Sequence, residues 1–149
     1  QSITEELFKD SVFGEQFLLP SSQQNYYVKA CKPCRVLFID YEHIVKRCPK
    51  ACAHHSQLVS NLFQLAAYKS QMQAMRINIL TKPSVRLKLM TYLEVLCQQH
   101  GDDSCVVPMP YSALAEYLCL DRSAMMRELK RLSDENLITR EGRHIRLVR

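Results

Sequence analysis

Met109–Val148 reads MPYSALAEYLCLDRSAMMRELKRLSDENLITREGRHIRLV. Its spacing decides the fold. Leu114, Ala115 and Leu118 share one face of a helix expected from Tyr111 to about Leu118. Cys119-Leu120-Asp121 is a turn, and Asp121 is a natural N-cap whose carboxylate accepts from free N–H groups of the next turn. A second helix is expected from Arg122 to about Glu135, with Met125, Leu129 and Leu132 as its buried stripe. Ser123, Met126, Arg127 and Lys130 fall on the other face, which is cationic and able to form hydrogen bonds. Leu137–Arg140 and His144–Leu147 then read as paired strands around Glu141-Gly142-Arg143, where the glycine suits a tight turn. Helix, turn, helix and hairpin in this order make a winged helix. The fold class expected is mainly α, of the α+β kind.

The order LAEYL–CLDRSAMMRELKRLSDENLI–HIRL resembles the C-terminal domain of the Crp/Fnr superfamily of bacterial transcription regulators. The resemblance implies a dimeric, sequence-specific, cytoplasmic DNA-binding regulator with no catalytic activity and no resident cofactor. It places Arg122, Ser123 and Arg127 at the family's base-reading positions. Arginine suits guanine O6 and N7 through a bidentate fork, so Arg127 is the first choice for a direct base contact. Met126 adds an apolar surface, suited to a thymine methyl. Tyr111, Ser112, Lys130, Arg143 and His144 are the expected phosphate contacts. Ser123 stands where many members have Glu, which implies a different DNA motif. Cys119 stands where the turn usually has Gly. The implied partners are double-stranded DNA, a second copy of the chain, RNA polymerase and a small-molecule effector.

Composition agrees with a globular protein of one or two small domains. The chain has 149 residues, 47% hydrophobic and 23% charged, with three glycines and a net charge of +5. Residues 1–28 hold Lys9 against Glu5, Glu6, Asp10 and Glu15, a balance of −3, so the rest of the chain carries +8. A basic C-terminal part suits a polyanion. No apolar run approaches the ~20 residues of a membrane span, and no basic-then-apolar signal peptide opens the sequence.

Ahead of the reader, residues 1–53 are expected to hold short strands, including Tyr26–Ala30 and Arg35–Asp40, broken by Cys31-Lys32-Pro33. Phe13-Gly14-Glu15 resembles the FGE signature of the family's cyclic-nucleotide-binding β-roll, here an incomplete one, with Glu15 the one candidate effector contact. In cyclic-AMP-binding members an Arg-Ser pair grips the phosphate. Gln24 and Asn25 occupy those places, and neutral amides lack the charge-assisted grip, which implies another effector.

Seven cysteines without an export signal are expected to be reduced. Cys31, Cys34, Cys48 and Cys52, followed by His54 and His55, support an alternative reading as a metal- or redox-responsive protein, since two Cys pairs can close a tetrahedral zinc site. An enzyme would need a nucleophile with its base, and no such motif stands beside the Cys/His group. A winged helix that docks a protein through the same basic face is a third reading.

Residues 54–80 contain neither Gly nor Pro. Leu58, Leu62, Leu65, Lys69, Met72, Arg76 and Ile79 recur at four- and three-residue steps, close to a heptad seam. A buried helix within one domain would show the same stripe. The family resemblance favours a dimer interface through Leu58, Leu62, Leu65, Met72 and Ile79, with Lys69 and Arg76 swinging out to solvent. Thr81-Lys82-Pro83 is the expected hinge, with Thr81 capping the next helix and Pro83 in its first turn. Val85, Leu89, Tyr92, Leu93 and Leu96 form that helix's stripe, Gly101 stops it, and Val106-Val107 is a short strand. The expected domains are therefore a partial β-roll at 1–53, a dimerisation helix at 54–80 and a winged helix at 81–149.

Overall fold

The computed structural model describes residues 3–15, 27–46 and 53–148. The described elements are α1 (Tyr41–Val45), α2 (Ala53–Leu80), α3 (Val85–His100), β1 (Ser104–Val106), α4 (Tyr111–Tyr117), α5 (Arg122–Asp134), β2 (Ile138–Glu141) and β3 (His144–Leu147). They fall into two compact units, 1–6 with 70–149, and 7–69. The division lies inside α2, between the boundaries expected from the sequence at 53 and 80.

The larger unit is the winged helix. Strand order is β1-β3-β2, antiparallel throughout. Ile138 pairs with Leu147 and Glu141 with His144, so a two-residue turn, Gly142-Arg143, closes the hairpin, with Gly142 at φ 60°. Strand β1 adds to the other edge of β3, Cys105 opposite Ile145. The alternation in β3 puts Ile145 and Leu147 inward and leaves His144 and Arg146 outside. Leu89 and Leu93 of α3, Leu114 of α4, Met125, Leu129 and Leu132 of α5, and Ile138 and Ile145 of the sheet meet in one core. Full burial of each such side chain contributes about 2 kcal/mol.

Three helices end in the same way. After α3, Gly101 turns left-handed at φ 72°, its N–H bonds Gln98 O, and Asp102 N–H bonds Cys97 O. After α4, Cys119 sits at φ 52°, with bonds from Cys119 N–H to Glu116 O and from Leu120 N–H to Ala115 O. After α5, Asn136 at φ 56° repeats the pattern onto Ser133 O, and Leu137 onto Leu132 O. Each is a Schellman closure, which satisfies carbonyls that the helix leaves unpaired.

Two expectations at the start of α3 change. Ser84, not Thr81, is the N-cap: its hydroxyl accepts from Leu87 N–H at 3.1 Å. The Thr81 hydroxyl instead donates back to Asn78 O at 3.0 Å, closing the end of α2. Pro83 accordingly lies just outside the helix, where its missing N–H leaves no bond unmade.

The smaller unit differs more from expectation. Among its described residues no strand forms, although Val28 and Val36–Ile39 have strand-forming side chains. A strand is held by a neighbour about 4.8 Å away, and the described residues supply none. Val36, Leu37, Phe38 and Ile39 are exposed. Asp40 caps α1 by accepting from Glu42 N–H at 2.9 Å. Gln24, Asn25, Cys48 and Cys52 lie outside the described residues.

Candidate nucleic-acid interface

Helix α5 starts at a firm cap. Asp121 Oδ1 accepts from Ala124 N–H at 2.8 Å, which fixes the direction in which the first turn leaves the Cys119 corner. Met125, Leu129 and Leu132 are fully buried beneath it. That stripe turns Arg122, Ser123, Arg127 and Lys130 outward, and all four are exposed. No carboxylate among the described residues pairs with Arg122, Arg127 or Lys130. Two acids on the flank are committed elsewhere: Glu128 lies 3.6 Å from Arg86 and 3.5 Å from Arg131, and the C-cap Glu135 is bound by Arg86. The outer face therefore presents three unneutralised cations and a hydroxyl on one rigid helix. That is what reading a major groove requires: charge for the phosphates and forked donors for base edges.

The wing is tied down beside it. The Tyr111 hydroxyl donates to Gly142 O at 2.6 Å, and Arg140 lies 5.7 Å from the Tyr111 ring centroid. Arg143 Nη1 donates to Pro108 O at 3.3 Å.

A model of the Crp-like helix-turn-helix domain matches residues 87–149. Residues 87–149 are thus similar to a Crp-like helix-turn-helix domain. The chain is also 30% identical over 138 residues to the probable transcriptional regulator flp of Lacticaseibacillus casei, covering 91% of this chain. The chain spans 60% of the length of that relative.

Within the Crp-like domain, the structure brings Arg122, Ser123, Arg127 and Lys130 onto one face, as the sequence indicated. Met126 is half-buried and packed against the core, so only part of it faces outward. Ser112, Arg143 and His144 are exposed. Tyr111 has a different employment: its hydroxyl proton is spent on the wing backbone. A tyrosine beside a basic helix suits either a phosphate or the wing backbone, and the bond to Gly142 O shows the second.

Helix α2 brings a larger revision. Ile79 is 3% exposed and belongs to the core of the Crp-like domain, which takes it out of any surface between copies. Leu62, Leu65 and Met72 are half-buried, and Leu58 is exposed. The two cations of that stripe do not swing out. Lys69 Nζ pairs with Glu15 Oε1 at 2.7 Å, which occupies the proposed effector carboxylate. Arg76 Nη2 donates to Ile3 O at 2.6 Å and Tyr117 O at 3.2 Å, and its guanidinium lies 4.7 Å from the Tyr117 ring centroid.

Cys31 and Cys34 are free and exposed, and no group of three or more His, Cys, Asp or Glu side chains with metal-binding geometry occurs among the described residues. Cys97 and Cys105 are buried thiols. Burial pushes the Cys105 thiol up to about 12, with its hydrogen bond to the neighbouring Cys97 adding to the shift. Neither is poised as a nucleophile. No described helix is long and apolar enough to cross a membrane.

Proposed function

We propose that this chain is a cytoplasmic, non-enzymatic transcription regulator that binds a specific double-stranded DNA site. The observation that carries the proposal is the unpaired cationic face of α5, with Arg122, Ser123, Arg127 and Lys130 exposed over a fully buried stripe. Arg127 and Arg122 read base edges, with Ser123 beside them. Lys130, Arg143, His144 and Ser112 meet phosphates, which supply affinity without sequence information. Met126 contributes its exposed part to a base methyl. Effector binding and contact with RNA polymerase belong to the same reading through the chain's kinship. The amides Gln24 and Asn25 favour an effector other than cyclic AMP.

Dimerisation through α2 completes the reading, and the surface of that helix supports a different seam from Leu58, Leu62, Leu65 and Met72. Val59, Phe63, Ala66, Ser70, Ala74 and Ile77 follow one another at steps of four or three residues, and all are exposed. The stripe contains no charge. A solvated helix face is normally charged, whereas this one is apolar or small along five turns. A second α2 laid along it would bury Phe63, now 76% exposed, and Ile77, now 62% exposed. A two-fold dimer would set two α5 helices on half-sites about 34 Å apart.

Two substitutions test the assignment of roles. Arg127→Ala is expected to relax base preference at one position of each half-site by about 1–3 kcal/mol. Lys130→Ala is expected to weaken all sequences alike and to lower the salt slope by about one unit. Equal losses from both on cognate and scrambled DNA in a salt-titrated binding assay would contradict the assignment.

A further inference from the structure

Helix α5 packs on α3, α4 and β2 through Met125, Leu129 and Leu132, and its rotation on that core sets where its outer side chains point. The roll matters at the outer face. A side-chain tip stands about 6–8 Å from the helix axis, so ten degrees moves it by about 1 Å, enough to spoil a forked hydrogen bond. Something must hold the rotation.

We propose that Arg86 is a positioning residue for DNA discrimination: from the first turn of α3 it holds the roll of α5 by gripping Glu128 and Glu135, two turns apart on the flank of that helix. The grip on Glu135 is a fork, Nη1 donating to Oε1 at 3.1 Å and Nη2 to Oε2. Nη1 also lies 3.6 Å from Glu128 Oε1. Glu128 Oε2 in turn lies 3.5 Å from Arg131, making a network of two cations and two anions. The Glu128 side chain is only 13% exposed, so it is the member of the network least able to find water instead. Arg86 beside it holds the Glu135 carboxyl below its ordinary range, chiefly through the hydrogen bond. Isolated surface pairs contribute little to stability, but a bidentate fork within a network fixes geometry. The network also neutralises the Glu128 and Glu135 carboxylates. The proposal rests on the DNA-reading function, and it reaches the bases only through α5.

A double-variant cycle in the 149-residue chain tests it, with Arg86→Met, Glu135→Gln and the pair combined. The readouts are affinity for the selected site, affinity for a scrambled duplex, the salt slope of each, and amide exchange of α5 in free protein. Arg86→Met removes one positive charge and is expected to weaken scrambled binding. The combined variant has the wild-type net charge and is expected to recover scrambled affinity and salt slope. Its ratio of selected to scrambled affinity is expected to stay about threefold low, no lower than in Arg86→Met alone, because the coupled pair is lost once. Faster exchange in α5 should accompany both. Arg86→Met with an unchanged ratio would overturn the proposal. So would a combined variant whose ratio returns to wild type, which would make the effect one of charge. A combined variant still weak on scrambled DNA, with the slope lowered by about one unit, would make Arg86 a phosphate contact and overturn it too. Should wild type itself show no preference, the function proposed above fails, and exchange in α5 alone decides the positioning role: unchanged exchange overturns it.

Discussion

Cys119 carries a conflict that the sequence announces and the structure resolves. It occupies the left-handed position of the helix-turn-helix corner at φ 52°, which glycine enters freely and a side chain enters at a cost. Cys119 N–H and Leu120 N–H nevertheless make the two closing bonds of the Schellman turn, so the corner is formed in spite of the residue. Cys119→Gly is therefore expected to stabilise the protein by about 1 kcal/mol in urea unfolding, with the slope of the transition unchanged. Destabilisation would mean that the exposed thiol makes a contact worth more than the relief. Asn136 holds the equivalent place after α5 and is a residue that tolerates it. At this scale much was legible: Asp121 as a cap and Gly101 as a stop follow from side-chain chemistry alone. Thr81 and Ser84 were not separable, since both hydroxyls precede the same helix and only the path of the backbone selects one.

Among the elements, those with strong periodicity were read correctly and those that depend on a distant partner were not. The stripes of α3, α4 and α5 are visible because burial repeats every three or four residues. Strand β1 shows only Val106-Val107 in sequence, and its pairing with β3 across some forty residues has no local signal. The runs ahead of α2 have strand-like residues, yet no ladder forms among the described ones. Tyr111 marks the boundary of what sequence can say about the site. The structure makes it the anchor between α4 and the wing turn, and that role gives a test in protein without DNA. Tyr111→Phe is expected to cost about 0.5–1 kcal/mol of stability and to speed amide exchange at Gly142 and Arg143. A residue acting only on phosphate would leave both unchanged in the free protein.

For the whole molecule, the proposed dimer rests on α2, and the structure separates the two stripes of that helix. The one with the stronger heptad pattern carries Lys69 and Arg76, and both cations are held by groups of their own chain. The weaker pattern, Val59 to Ile77, is the charge-free exposed face. Sequence favours the first because leucine and isoleucine dominate it, but burial inside one chain and burial between chains leave the same imprint on a helix. Phe63→Glu combined with Ile77→Glu is expected to yield a monomer by sedimentation equilibrium and to retain the fold of the Crp-like domain. Persistence of the dimer would return the interface to Leu58, Leu62 and Leu65.

The exposed face of α5 is proposed to read DNA sequence, twice, in one two-fold assembly. Selection from a randomised duplex pool at several salt concentrations, with sequencing of the bound fraction, tests it most directly. A two-fold symmetric motif with half-sites about one helical turn apart is expected, with binding that falls steeply with salt. Recovery of no motif, with binding that depends on salt alone, would contradict it.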